Sequence, residues 1–95
     1  MISSLEAYKI TKETIFRKKH TQLYEEIHAA IQKGIMTDKF ECNVETPNDI
    51  IVEDNVFELL TLFGYNVSFT HYTIANIDHV CITISWDING ENNKN

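Results

Sequence analysis

The run DHVCITISWD, residues 78–87, places His79 and Cys81 two positions apart on what reads as a β-strand, so that both project from one face. Two such ligands would supply half of a tetrahedral metal site, but nothing in the remaining sequence supplies the other half. There is no CxxC and no HxxxH pair among the four histidines and two cysteines. Cys42 alternates with Phe40 and Val44 and is expected to point into the core, away from His79 and Cys81. His28 shares a helical face with Tyr24, which is ordinary amphipathic packing. No metal and no cofactor are therefore expected.

Nucleophilic catalysis by Cys81 with His79 or His71 needs a base, an orienting third group and a cleft. A strand residue beside a histidine meets the first of these, and a bare sheet face offers no cleft. Glu41, Glu45, Asp49, Glu53, Asp54 and Glu58 are scattered over outward positions and a first helical turn, where capping and solubility account for them. The only glycines, Gly34, Gly64 and Gly90, form no phosphate loop or nucleophile elbow. These patterns predict a protein that is not an enzyme.

Ser3 as N-cap with Glu6 three residues on predicts a helix start, and no Gly or Pro interrupts the chain before Gly34. The apolar spacing predicts one helix of about 30 residues, roughly 45 Å long, or two helices broken near His20 and Thr21. Gly34 is expected at the C′ position. KFECNVE alternates with Phe40, Cys42 and Val44 inward, which predicts a half-buried strand. Thr46 as N-cap and Pro47 at N1, with Asp49 at N3, then open a helix that carries Val52, Val56, Leu59, Leu60 and Phe63 and closes on Gly64. YNVSF is a second strand with Tyr65, Val67 and Phe69 on one face, and residues 71–77 hold the turn into the last strand.

The predicted fold is α+β: a long N-terminal helix, continuous or broken, then β-α-β-β, with a three-stranded sheet packed on helices. The last strand lies in the middle and antiparallel to its predecessor. Val80, Ile82, Ile84 and Trp86 face the helices. Residues 1–89 form one domain, with 1–20 as an extending helical arm carrying Tyr8, Ile15 and Phe16, and residues 90–95 form a disordered tail.

A formal net charge of −6 argues against nucleic acid as a partner, since phosphate contacts need clustered Lys and Arg. Arg17, Lys18 and Lys19 are the one basic cluster, read as a solvated helical face. No stretch approaches the roughly 20 apolar residues of a membrane span, and the N-terminus lacks a signal-peptide pattern. Two cysteines make no disulfide framework and are expected as free thiols in a cytosol. A 95-residue chain builds a modest core, so association with copies of itself or with another protein would add buried area. The surface expected to do so is the open sheet face: His79, Cys81, Thr83 and Ser85, flanked by Asn66 and Ser68, polar and free of the Lys or Glu that usually protects an exposed sheet.

The order helix, GIMTDKFECNVE, helix, LFGYNVSF and ITISW, with Gly34, Leu62, Gly64, Tyr65, Ile84 and Trp86 as matching positions, resembles a pattern recurring among small proteins of tailed bacteriophages and other large double-stranded DNA viruses. Many of those are uncharacterised or virion-associated. The resemblance covers roughly residues 22–87 and brings no catalytic motif. It implies a viral accessory or virion structural protein in the host cytoplasm during infection or in the particle. The alternatives are an early inhibitor of a host protein, and a ligand-binding protein or enzyme with a pocket between copies that holds His79, Cys81 or Tyr65.

Overall fold

A computed structural model describes residues 1–88, so the tail expected over 90–95 lies outside the described residues. The elements are α1 (Ser4–Lys19), α2 (Thr21–Met36), β1 (Glu41–Pro47), α3 (Ile50–Leu62), β2 (Asn66–Ile74) and β3 (Ile77–Ser85). The sheet order is β1-β3-β2, with β3 antiparallel to both neighbours. The most apolar strand is indeed central, because only that position buries it between two partners.

The N-terminal helix is two helices. Ser3 caps α1 as expected: its hydroxyl accepts from the Glu6 amide at 3.1 Å, and its own amide donates to the Glu6 carboxylate at 3.3 Å. The chain turns at His20, where φ −131° and ψ 58° leave the helical region. A straight helix of this length would overrun a sheet whose strands of 7 and 9 residues span roughly 23–30 Å. The bend instead folds Phe16 back into the core against His20, with ring centroids 5.0 Å apart, and the Asn55 amide on α3 donates to the His20 ring at 3.3 Å.

Gly34 does not end α2. It lies inside the helix, buried, and the helix closes on Thr37 with Asp38 in the left-handed region at φ 62°. The Asp38 amide donates to Ile35 O at 3.2 Å and the Lys39 amide to Gly34 O at 2.8 Å, a Schellman closure in which aspartate takes the place expected for glycine. Gly64 does serve that role for α3, at φ 93°, with the Tyr65 amide donating to Leu60 O at 3.0 Å. The start of α3 also differs from expectation. Thr46 and Pro47 belong to β1, paired with Val80 and His79, and Asp49 is the N-cap, accepting from the Ile51 amide at 2.9 Å and the Val52 amide at 3.3 Å. Cross-strand pairing holds Thr46 and Pro47 extended, so the cap passes to the next side chain able to accept, a contact generally worth about 1 kcal/mol.

β2 runs five residues past YNVSF, and Ala75 and Asn76, at φ 54° and 66°, form a two-residue turn into β3. Both central residues are left-handed, the type I′ geometry that Asn-Gly favours and alanine does not. Replacing the pair by Asn-Gly (Ala75→Asn with Asn76→Gly) is expected to raise unfolding free energy by about 0.5–1 kcal/mol in urea melts.

Val80, Ile82 and Ile84 are fully enclosed beneath the helices, joined by Val44, Val56, Leu59, Leu60, Ile27 and Phe16, with Trp86 and Tyr65 packed against them. Phe40 is not inward. It precedes the first paired residue of β1 and is exposed, contributing only its carbonyl, which accepts from the Trp86 amide at 2.9 Å.

Candidate functional site

The open face of the sheet carries the side chains expected there, but it is not free of Glu: pairing of β1 with β3 sets Glu41 beside Ser85 and Glu45 beside Cys81 on the same face. The register sets Thr83 between Asn43 and Ser68, Cys81 between Glu45 and Thr70, and His79 between Pro47 and Tyr72. Asn66 and Ser68 are exposed, His79, Cys81 and Thr83 are half-buried, and Ser85 is buried beneath its neighbours. Thr83 Oγ1 donates to Asn43 Oδ1 at 2.9 Å. A shallow recess is lined by Glu41, Asn66, Ser68, Thr83 and Ser85.

Tyr72 on this face escaped the sequence reading, and Glu45, expected outward for solubility, proves to act beside it. The His79 ring stacks on Tyr72 with centroids 5.5 Å apart and planes at 15°, while its Nδ1 donates to Ile77 O at 3.0 Å. Partial desolvation, followed by the Glu45 carboxylate across the sheet, holds the Tyr72 hydroxyl above its ordinary pKa. Continuing the alternation of β2 beyond Thr70 finds Tyr72. The alternation of β1 turns Glu45 outward, and only the register brings it near Tyr72.

Cys42 faces the core and Cys81 the open side, both as free thiols; burial, then Glu41, pushes the Cys42 thiol up. Among the described residues no three His, Cys, Asp or Glu side chains converge as metal ligands. No helix of the described residues is long and apolar enough to cross a membrane.

The arm is shorter than expected and Phe16 is not part of it. α1 runs antiparallel to α3: His20 meets Asn55, Lys12 Nζ lies 3.0 Å from Glu58 Oε2, and Lys9 sits over the Phe63 ring at 5.9 Å. Because α3 ends at Leu62, the helical stripe that reaches inward through Phe16 loses its partner beyond Lys9. Ile2, Leu5 and Tyr8 lie further along and are exposed, and Ile15 is exposed on the flank. Phe16 is only 5% exposed because the turn at His20 drives it under α3.

A third feature has no counterpart in the sequence reading. Where the three helices meet, a small apolar groove of about 100 Å³ is lined by Phe16, Tyr24, Ile27, Ile31, Phe63 and Tyr65, with Glu13 and His28 as polar members. Tyr24 Oη donates to Glu13 Oε2 at 2.6 Å. That bond, followed by burial and the carboxylate charge, raises the Tyr24 pKa, against a smaller opposing effect of Arg17. Burial first, then Cys42 and Glu13, raises Tyr65. Tyr65 stands edge-on to Trp86 at 6.3 Å on the helical side of the sheet, so a single chain does not bring it together with His79 and Cys81.

Replacing Glu13 with Gln is expected to return the Tyr24 titration toward that of free tyrosine, read by tyrosinate absorbance. The sign follows from the raised folded-state pKa. The bond stabilises the fold fully below the ordinary tyrosine value and is lost as pH rises through the higher folded one.

Comparison with protein-family models, curated proteins and solved structures gives no match.

Proposed function

We propose that this chain is a non-enzymatic interaction protein, a viral accessory or virion component that binds other structural subunits and copies of itself through its N-terminal helix and open sheet face. The observation that carries the reading is the exposure of Leu5 and Tyr8 in the first turns of α1, with Ile2 just before its cap: Leu5 continues the face that packs through Phe16 and Lys9, yet α3 ends before reaching it. A soluble helix places apolar residues on one stripe to bury them, and among the described residues no element covers Leu5 and Tyr8. The open face, uncharged along β2 and β3 save for His79 and acidic only at Glu41 and Glu45 on β1, offers a second surface for a protein partner. The viral context is supported by the element order that resembles phage proteins.

The test has two parts. Quantitative mass spectrometry of purified particles should find the chain in fixed proportion to the major subunits, and the double substitution Leu5→Ser and Tyr8→Ser should abolish its incorporation while leaving its melting temperature nearly unchanged. Absence from particles overturns the virion reading. A single host protein retained stoichiometrically by the chain would then establish the alternative of a host inhibitor.

A second reading is favoured by the groove between the helices, where aromatic rings and the Glu13 carboxylate meet. It makes the chain a binder of a small amphipathic molecule within one copy. A ligand-induced rise in melting temperature that Tyr65→Ala removes would support it.

A further inference from the structure

The two outer strands of the sheet are built differently. β1 carries Glu41, Glu45 and Pro47, the charges and proline that natural edges use to refuse a further strand. β2, NVSFTHYTI, runs nine residues with no Lys, Arg, Asp, Glu, Pro or Gly, and among the described residues no strand pairs with its outer side. Its backbone donors and acceptors therefore face outward along an uncharged strand.

A second observation lies beside it. Ile50, Glu53 and Phe57 fall at i, i+3 and i+7 on α3 and share one stripe. Glu53 is bonded to His71 of β2 at 3.0 Å, which fixes that stripe on the β2 side of the helix. Ile50 is 74% exposed and Phe57 49%, although both lie along the side of the helix nearest the open edge.

We propose that β2 pairs antiparallel with β2 of a second copy about a twofold axis at Thr70, joining two three-stranded sheets into one of six and setting the two α3 helices side by side. It deepens the reading above by naming one self-association surface, distinct from the arm. Antiparallel pairing is self-complementary, so one uncharged edge serves both partners. With Thr70 on the axis, Ser68 opposes Tyr72 of the partner subunit and Phe69 opposes His71 of the partner subunit. Residues of the same parity meet, so the polar face stays open and the core face continues across the seam. Strand pairing alone buries less than the roughly 800 Å² per partner of a standard interface, and the Ile50 and Phe57 stripe supplies apolar area that makes up part of the difference. A heterologous strand would satisfy the backbone equally but would leave that stripe without its matching copy.

The experiment is light scattering in line with size exclusion from about 1 µM to about 1 mM, the range in which an interface of this size associates. The expected result is a concentration-dependent dimer whose dissociation constant rises at least about tenfold in Thr70→Lys, which sets two like charges opposite each other. Asn48→Lys, exposed just past the guarded edge strand, should leave it within about twofold. As a check independent of affinity, Thr70→Cys with Cys81→Ser and Cys42→Ala should oxidise to a covalent dimer, since residues facing each other across an antiparallel pair have Cα atoms about 4.5–5.5 Å apart, within disulfide reach. A chain that stays monomeric throughout, with no covalent dimer, overturns the pairing but leaves binding to other subunits standing. A dimer lost in the Leu5→Ser and Tyr8→Ser variant and indifferent to Thr70→Lys also overturns it, and assigns self-association to the arm.

Discussion

Truncating Ile82 to alanine is expected to lower the free energy of unfolding by about 3–4 kcal/mol, the typical loss for a buried isoleucine whose site cannot collapse. The site cannot collapse because Ile82 is 1% exposed on the central strand, with Val44 and Phe69 opposite it on the two flanking strands and the helices above. A chain of this length commonly has only about 5–14 kcal/mol in total, so the variant should melt some 12 °C or more below the parent. Thr83→Ala, one residue along and on the open face, should cost less than about 1 kcal/mol, chiefly its hydrogen bond to Asn43. Urea denaturation followed by circular dichroism measures both. Equal losses would mean that the two faces of β3 are not differently covered.

The second large effect is at Gly34. A Cβ there would lie 2.7 Å from Cη2 and 3.1 Å from Cζ2 of the Trp86 ring, and 3.4 Å from the Glu41 carbonyl oxygen. Alanine in a helix interior gains about 1 kcal/mol over glycine, so Gly34→Ala sets that gain against a displaced indole. The indole is packed on the core and on Tyr65, and displacement prevails: the net expectation is a loss of about 1 kcal/mol, rising to about 3 kcal/mol for Gly34→Val, whose extra methyls meet the same ring. Trp86→Phe removes the two clashing carbons. In that background Gly34→Ala should become neutral or stabilising, a coupling read from a double-mutant cycle. Trp86 is the only tryptophan, so its fluorescence should shift to the red in Gly34→Val as the ring moves toward water.

Gly34 also shows how a correct sequence signal can point to the wrong cause. A glycine after an amphipathic run reads as a helix terminator, and the helix does end nearby. The residue is glycine because β3 brings Trp86 against it across more than 50 positions of sequence. Asp38 takes the left-handed cap because its short polar side chain tolerates that conformation. Thr46 and Pro47 make the same point: a sound capping signature locally, drawn into β1 by pairing with Val80 and His79. Of the candidate surfaces, the alternation of the last strand was enough to expose His79, Cys81 and Thr83 together. The stacking of His79 on Tyr72, the reach of Glu45 and the groove at Tyr24 and Tyr65 depend on registers and helix crossings that no local pattern carries.

By itself the sequence determined the strands, the amphipathic faces, the central place of β3 and the true caps at Ser3 and Gly64. Each of these rests on interactions within a few residues, or on a hydrophobic alternation that only a doubly flanked strand can satisfy. Only the tertiary structure decided the turn at His20, the burial of Phe16, the length of the unpartnered arm and the contrast between a guarded edge and an open one. Those are outcomes of how far one element extends beside another, and a chain's periodicity says which face it buries but not where its neighbour ends.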